Sequence, residues 1–504
     1  MDAQTDRLAR LLRAGSQTGQ SLCDQMSVSP ATLSRLMKDC ENAYPGFLCR
    51  IGAARSTRYA WAKAVEDVAG QPWVIHVYQV DRQGALQSVG RLTVLEADEY
   101  RFERSADEAL SVSGQFPDGW LREHYEGVPW FLQDGRPQGY LGRALAQRWF
   151  GQDGGTAVVP GLPEHVHQWN DHQVLRVISC AGDDLPGNFL IGRRSAERLL
   201  SQRQQEDTRV IRAEDRPAAY AQRVHDLVSG QWIPHSSAGG EQPKFTACVI
   251  HASNAAARQV IVKFSPPEQD ESRAAQRWRD LLLAEFHALS VLTAHGLPSA
   301  MTDVIRGGDG RWFMESTRFD RVGRHGRAPA FSLRSILIED VGDLPGWTVA
   351  AETLHGKGRI DASTMEQIGL LDAYGHFIGN TDRHPGNLSL TLDQHAGPAK
   401  FVLAPAYDML PMQYAPDAQG SLVPEFRPMA AYPAEHGMVS MARDLAMLFW
   451  AEVARDQRVS QDFREIAMAH AEAMSPDVFD GALYAGREDD AEEPTRRDDL
   501  RMDF

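Results

Sequence analysis

The chain has 504 residues but only five cysteines, and none of them forms a CxxC pair. This scarcity argues against a disulfide framework or a zinc ribbon, and it is typical of proteins in a reducing cytosol. No stretch approaches the ~20 apolar residues that a membrane helix requires. The N-terminal MDAQTDRLARLLRAG also lacks the basic and apolar regions of a secretion signal. We therefore expect a cytoplasmic protein without a membrane segment.

Basic residues are too few to balance the acidic ones: 52 Lys and Arg stand against 68 Asp and Glu, and the net charge is −16. This balance disfavours nucleic acid as a partner of the whole surface. However, residues 1–70 carry nine basic and seven acidic residues, so the other 434 residues hold a charge of −18. The composition, with 43% hydrophobic residues, therefore predicts a globular chain with a small basic module before a large acidic body.

The basic module shows the pattern of a helix-turn-helix followed by a hairpin. A short helix is predicted over 21–25, and Ser29-Pro30 is typical of an N-cap followed by proline at the first helical position. A two-stranded ribbon over 47–61 would present a basic tip. The pattern favours a winged helix that binds DNA over a small helical domain with an ordinary hairpin. The candidate DNA-contacting residues are Ser29, Thr32, Ser34, Arg35, Lys38, Arg55 and Arg58.

Periodicity predicts a mixed α+β organisation in the acidic body. Strands are predicted over 71–80 and near 92–95, in a region that extends to about residue 200. Residues 202–215 are predicted to form a charged helix or linker, and the charged tail over 487–504 is expected to fray. Helical periodicity is found over 272–295, 363–379 and 439–475.

The segment HFIGNTDRHPGN, over 376–387, gives the strongest indication of chemistry. Phosphoryl transfer needs a carboxylate beside the attacking hydroxyl and hard oxygen ligands for magnesium. Asp382 and Asn387 can supply the base and one ligand from one loop, and Asp408, beyond the next strand, can supply another. The loop alone could be a polar turn. Asp408 favours the catalytic interpretation, because a carboxylate in an apolar stretch requires a polar partner or a metal.

A Gly-rich segment, PHSSAGGEQPKF over 234–245, precedes these groups. It is neither a Walker loop nor the GxGxxG of common kinases, and alone it could be a surface turn. The next strand-like run carries Lys263, and the following helix carries Glu285 among apolar residues. A lysine beneath a Gly-rich loop can hold nucleotide phosphates, and Glu285 could orient it. The alternatives are an edge-strand lysine in water and a glutamate on a solvated helix face.

The order of the motifs strengthens the individual indications. A strand ending in Arg318-Phe-Asp-Arg321 occupies the place of a kinase hinge, between the glutamate helix and the catalytic loop. In these motifs the chain resembles the HipA-family serine/threonine kinases over roughly residues 75–475. With the leading winged helix it is similar to the YjjJ (HipH) branch of that family. The matching segments are SSAGGEQPK over 236–244, VKF over 262–264, RFDR over 318–321, GNTDRHPGN over 379–387 and AYDML over 406–410.

The resemblance implies a two-lobed, kinase-like α+β fold that uses ATP and Mg²⁺. It implies that Asp382 is the catalytic base and that Asn387 and Asp408 are metal ligands. Many relatives autophosphorylate a serine at the Gly-rich loop, where Ser236 matches best and Ser237 lies beside it. The ATP-binding candidates are Lys263, Gly239, Gly240, Lys244, Glu315 and Phe319.

The resemblance also implies a toxin of a toxin–antitoxin system that phosphorylates a protein substrate. The best-known target in the family is an aminoacyl-tRNA synthetase, which points to translation. The fused module suggests regulation of the chain or of its operon, and helix-turn-helix proteins often act as homodimers. The predicted domains are a winged helix over 1–70, an N-terminal lobe over 71–320 with a mixed subdomain over 71–215, a helical catalytic lobe over 321–486 and a tail over 487–504.

Two other functions fit the same residues. The chain could be a DNA-binding regulator whose kinase-like body senses nucleotide without catalysing transfer. Asp, His and Asn with magnesium could also cleave DNA, with His384 as the base of a nuclease. In the kinase interpretation His384 only supports the loop.

Overall fold

The computed structural model describes residues 3–53, 56–65, 70–105, 120–143, 162–205, 210–229, 242–250, 256–340, 342, 344–393, 400–417, 419–423, 425–429, 432 and 437–474. Some of the residues singled out above lie outside these ranges. They are Arg55, Ser236, Ser237, Gly239, Gly240 and the tail over 487–504.

The N-terminal unit has three helices and a three-stranded antiparallel sheet in the order β1-β3-β2. Thr18 and Ser29 cap the second and third helices by accepting backbone N–H groups, which explains why those helices begin there. The two-residue strand β1 was not predicted, because two residues carry no periodicity. The elements are α1 (Ala3–Arg13), β1 (Gln17–Thr18), α2 (Gly19–Met26), α3 (Pro30–Ala43), β2 (Leu48–Ile51) and β3 (Arg58–Trp61).

This unit is bonded to the region that follows it. The backbone N–H of Ser16 donates to Glu99 Oε1 at 3.1 Å, and the N–H of Gly52 donates to Glu123 Oε2 at 2.8 Å. Leu95 is buried in the hydrophobic core of the N-terminal unit. The hairpin end of the unit therefore packs against the middle region.

The middle region is a five-stranded antiparallel sheet in the order β7-β6-β5-β4-β8, covered by two helices. A 3-10 turn over Trp130–Gly135 inserts its buried aromatic residues into the main core. The elements are β4 (Val74–Val80), β5 (Leu86–Val94), β6 (Glu99–Arg104), β7 (His124–Glu126), α4 (Asp171–Ala181), β8 (Phe189–Ile191) and α5 (Arg193–Gln205).

A second five-stranded sheet follows, in the order β12-β13-β11-β10-β9. Its strands β10 and β11 are antiparallel partners, and this register places Lys244 opposite Lys263. The segment over 202–215 was predicted to be helix or linker, but it contains the end of α5 and the edge strand β9. The elements are β9 (Val210–Arg212), α6 (Arg216–Val228), β10 (Lys244–Ile250), β11 (Arg258–Phe264), α7 (Arg273–Ala294), β12 (Thr302–Arg306) and β13 (Trp312–Thr317).

The C-terminal part is mainly helical and contributes large aromatic side chains to the main core. The segment 439–475 was predicted as one helical stretch, but two helices form, because Ser460 caps a new helix by accepting the N–H of Phe463. No helix in the described ranges is both long and apolar enough to cross a membrane. The elements are β14 (Arg321–Val322), β15 (Gly326–Arg327), β16 (Phe331–Ser332), α8 (Leu333–Asp340), α9 (Trp347–Gly356), α10 (Ala362–Phe377), β17 (Ser389–Asp393), β18 (Lys400–Leu403), α11 (Gly437–Arg455) and α12 (Gln461–Ala473).

Candidate active site

A cavity of about 1030 Å³ lies between the second sheet, the helical part and the middle region. A hydrophobic wall and several charged groups make it suitable for a small ligand. Most of the described candidate residues line it, although they are distant in the sequence. The candidate side chains at its wall are Lys244, Lys263, Phe319, Asp382, His384, Asn387 and Asp408.

Lys263 links two carboxylates at the cavity wall. Its ammonium donates to Glu285 Oε1 at 2.5 Å and Oε2 at 2.7 Å, and also to Asp408 Oδ1. Lys263 comes from β11 and Glu285 from α7, and both are buried. Asp408 has a left-handed backbone with φ of 53°, a conformation that is rare outside glycine and clusters at functional sites.

The charges in this cluster set the protonation of each member. Burial raises the pKa of Glu285, and Lys263 offsets part of this effect. For Asp408, burial is outweighed by the attraction of Lys263 and Lys244, so the pKa of its carboxyl is lowered. Burial of Lys263 is likewise outweighed by Asp408 and Glu285, which raise its pKa. Asp408 is therefore ionised and Lys263 positively charged at neutral pH.

The loop after α10 holds Asp382 and Asn387 together. Asn387 Nδ2 donates to Asp382 Oδ2 at 3.1 Å and to the Asp382 carbonyl at 2.9 Å. Buried Asn380 connects this loop to the other acidic group, since it accepts the N–H of Asp382 at 3.0 Å and donates to the carbonyl of Asp408 at 3.3 Å. The role of Asn380 was missed, although it lies within the catalytic-loop motif. Arg383 anchors the loop to α10 through Asp372 at 2.9 Å.

His384 shapes the loop in this structure. Its Nδ1 accepts the N–H of Gly386 at 3.0 Å, and its carbonyl accepts Trp347 Nε1 at 2.9 Å. Its Nε2 lies 3.6 Å from Asp382 Oδ1, and both side chains are about half exposed, at 56% and 50%. These contacts give His384 a supporting position beside Asp382.

The remaining oxygen atoms suit a hard cation. Asn387 uses its amide nitrogen on Asp382, so its carbonyl oxygen is left for a ligand, as is the second oxygen of Asp408. Carboxylate and amide oxygens are the ligands that Mg²⁺ prefers. Within the described ranges, no three His, Cys, Asp or Glu side chains converge as a metal cluster. The residues therefore fit an ion that would have few protein ligands.

The end of β13 and the predicted hinge after it form part of the cavity wall. Ser316, Thr317 and Phe319 line the cavity, and the Phe319 ring stacks on Tyr407 at 5.8 Å between centroids. Glu315 was predicted to bind ATP, but its side chain is turned the other way. It accepts hydrogen bonds from Tyr220 at 2.5 Å and from Arg216 at 3.0 Å, and these contacts hold it away from the cavity.

A buried ion network behind the hinge was not anticipated as a unit. Arg318 donates to both carboxylate oxygens of Asp320 at 2.9 Å and to Asp184 at 2.9 Å, and Arg321 joins the same two carboxylates. Burial of Asp320 is outweighed by these arginines, which lower the pKa of its carboxyl. Asp184 comes from the middle region, so the network fixes the hinge against that region. The RFDR motif had indicated Arg318, Asp320 and Arg321, but nothing in the sequence indicated that Asp184 joins them.

The candidate DNA-contacting residues fall into two groups. Ser29, Ser34, Arg35 and Lys38 are exposed on or just before α3, and Thr32 is partly exposed beside them. Ser29 also accepts the N–H of Thr32 at 3.2 Å as the helix cap. Arg58 differs, because it donates to the hydroxyl of Ser16 at 3.0 Å and to its carbonyl at 2.7 Å. Its guanidinium is thus already engaged within the chain.

Comparison with known proteins places these features in a family. Residues 71–200 match the middle domain of YjjJ-like toxins, and residues 236–476 match the HipA-like C-terminal domain. Toxin YjjJ of Escherichia coli K12 is 31% identical over 472 residues, which cover 93% of this chain and 97% of that protein.

Two solved structures are more distant. HipA from the Shewanella oneidensis MR-1 complex of HipA, HipB and operator DNA is 15% identical, with a TM-score of 0.43 over 81% of this chain and 94% of that one. The Helicobacter pylori proinflammatory kinase CtkA is 13% identical, with a TM-score of 0.33 over 51% of this chain and 94% of that one. Neither TM-score reaches 0.5, so the assignment rests on the sequence matches. The chain belongs to the YjjJ-like toxins with a HipA-like C-terminal domain.

Proposed function

We propose that this toxin-family chain is an ATP- and Mg²⁺-dependent serine/threonine protein kinase. The observation that carries the proposal is the cluster of Lys263, Glu285 and Asp408, which opens on the same cavity as Asp382 and Asn387. A nucleotide phosphate, a cation and an attacking hydroxyl each have a chemically suited partner there.

Each side chain takes a distinct part in the proposed reaction. The half-exposed carboxylate of Asp382, oriented by Asn387, accepts the proton of the serine or threonine hydroxyl. Lys263 and Lys244 at the cavity wall would hold phosphate oxygens, and Phe319, which stacks on Tyr407 there, would contact the base of ATP. Asn387 and Asp408 would hold magnesium, which would supply positive charge against the phosphates.

The first test is transfer of label from radioactive ATP in the presence of Mg²⁺. We expect Asp382→Asn to lose about 100-fold or more of the wild-type rate, because it keeps the shape but removes the base. Glu366→Gln, an exposed change on α10, is the matched control and should leave transfer intact. ATP binding without transfer to the protein or to cell-extract proteins would favour a nucleotide-sensing regulator. DNA cleavage without ATP, lost in His384→Ala, would favour a nuclease.

The proposal includes autophosphorylation at Ser236 or Ser237, which belong to the Gly-rich segment preceding Lys244. Mass spectrometry of the labelled protein would identify the serine. Label that persists in the Ser236→Ala, Ser237→Ala double variant would exclude both sites.

We further propose that the N-terminal unit is a winged helix that binds DNA and that the chain acts in the cytoplasm as a homodimer. The exposed Arg35 and Lys38 on α3 support the DNA interaction, as does the +2 charge of residues 1–70. Deletion of residues 1–65 tests the regulatory role, and unchanged activity and expression would contradict it. Sedimentation of the full chain tests the dimer.

A further inference from the structure

We propose that one face of α8, carrying Arg334 and Ile338, binds the phosphoacceptor segment of a protein substrate, and that Arg334 pairs with an acidic side chain of that segment. This inference rests on the proposed kinase function and specifies its substrate class. Both residues line the same cavity as Asp382, His384 and Asn387.

The start of α8 is joined directly to the end of the catalytic loop. The N–H of Leu333 donates to the carbonyl of Leu388 at 2.8 Å, one residue beyond Asn387. Just before the helix, strand β16 pairs with β17, with Ser332 opposite Ser389. Arg334 is therefore held at a fixed place relative to Asp382 and Asn387.

The first turn of α8 is also fixed from the middle region. The buried carboxylate of Asp134 accepts the N–H of Ser332 at 2.7 Å, its hydroxyl at 2.5 Å and the hydroxyl of Ser335 at 3.1 Å. These three bonds occupy the Asp134 carboxylate, which also attracts the Arg334 guanidinium. The helix therefore presents Arg334 on a rigid base, which reduces the entropy lost when a ligand binds.

Arg334 differs from the other arginines of the cavity wall. Arg136, Arg311 and Arg318 are paired with Asp171, Asp309 and Asp320, respectively. Arg334 is exposed, and in the described part of the chain its guanidinium has no hydrogen bond or close ion pair; Asp134 attracts it, but the carboxylate oxygens of Asp134 are already bonded to Ser332 and Ser335. An unpaired guanidinium facing a cavity is suited to a carboxylate, which it can bind through two parallel hydrogen bonds.

Ile338 adds a second, apolar point of contact. It lies one helical turn after Arg334, so both side chains project from the same face of α8. Ile338 is 43% exposed although it is apolar, and it lines the same cavity. An extended peptide could place an acidic and an apolar side chain on this pair while its hydroxyl reaches Asp382.

The experiment uses synthetic peptides with one central serine and with Glu, Ala or Lys at each of four flanking positions on either side. Label transfer is measured for the full-length wild type, for Arg334→Glu and for Arg455→Glu, an exposed arginine of α11 that serves as the control. We expect the wild type to prefer Glu over Lys at one flanking position by about 5-fold, as a partly exposed ion pair provides. Arg334→Glu should reverse that preference, and Arg455→Glu should retain it.

The outcomes separate this inference from the proposed function. If the wild type labels no peptide and no extract protein above the Asp382→Asn background, the kinase function fails and the inference fails with it. If the wild type labels peptides without a charge preference, only the inference fails. The same holds if the wild type prefers Glu over Lys and Arg334→Glu does not reverse this preference. A rise in the KM for ATP with an equal loss for all peptides would assign Arg334 to the nucleotide and also overturn it.

Discussion

At the scale of single residues, the ammonium of Lys263 is shared between Glu285 and Asp408. In the proposed reaction, a nucleotide and its cation would need both the lysine and the carboxylate of Asp408. Glu285 therefore has two effects: it holds Lys263 in place, and it competes with Asp408 for the same positive charge.

Glu285→Gln should increase the Mg²⁺ concentration needed for half-maximal phosphate transfer. Without the charge of Glu285, Lys263 pairs more strongly with Asp408 and makes that ligand less available. We expect a rate loss of about 10-fold at low Mg²⁺, as for other partners that position a metal ligand, and partial recovery at high Mg²⁺. Glu366→Gln is the control, and an unchanged Mg²⁺ dependence would contradict the role given to Glu285.

Side-chain direction limited what the sequence could predict for individual residues. The types and spacing of Asp382, Asn387 and Asp408 suggested a shared site, and the structure places all three at one cavity. Glu315 was predicted there too, but its direction depends on Arg216 and Tyr220, which lie 99 and 95 residues away in the sequence. No local pattern encodes such a contact.

At the scale of secondary-structure elements, the 3-10 turn over Trp130–Gly135 supports α8 through Asp134. This contact joins segments 198 residues apart, so neither periodicity nor capping motifs could predict it. Helices and their caps could be predicted more readily from the sequence, because the 272–295 helix and the Ser29 cap depend on neighbouring residues.

Asp134→Ala should lower the free energy of unfolding by about 1–3 kcal/mol, because it leaves the buried donors of Ser332 and Ser335 unpaired. Urea unfolding of the variant measures this loss, with the exposed Glu352→Ala as the control. In a double-mutant cycle, Ser335→Ala should cost less in the Asp134→Ala background than in the wild type. Strict additivity would show that the two side chains do not interact.

Helix α3 provides a second prediction at this scale. If α3 binds DNA as proposed, replacing Arg35 or Lys38 by Ala should weaken binding to duplex DNA and reduce the slope of log K against log salt concentration by about one each, because each would remove a phosphate contact. Arg10→Ala, on exposed α1, is the control for a general loss of positive charge. Binding measured by fluorescence anisotropy at several salt concentrations decides this, and equal effects of all three variants would contradict a role specific to α3.

At the scale of the whole molecule, the stability of the folded protein depends on pH through His470 in the C-terminal helical part. Its ring stacks on Trp450 with centroids 4.2 Å apart, and its Nε2 contacts the hydroxyl of Tyr414 at 2.7 Å. Burial lowers the pKa of His470 from 6.5 to about 3. The folded protein therefore keeps this histidine neutral where the unfolded chain binds a proton.

Stability should fall as the pH is lowered from about 6.5 towards 3, at up to about 1.4 kcal/mol per pH unit from this group. His470→Gln, which retains a hydrogen-bond acceptor for Tyr414, should remove this contribution. Denaturant unfolding at several pH values would show it as a shallower pH dependence than in the wild type. The exposed His355→Gln is the control. If His470→Gln shows the same pH dependence of unfolding stability as this control, His470 is not the group responsible.

The cavity wall also has a consequence for synthesis of the chain on the ribosome. Its components come from the 3-10 turn of the middle region, the second sheet, the hinge and the loop up to Asp408. A nascent chain lacks a complete set of reactive groups until Asp408 has left the exit tunnel, by which time the N-terminal unit and middle region are already available to fold. The side chains of the proposed reaction therefore come together only after most of the chain has been synthesised.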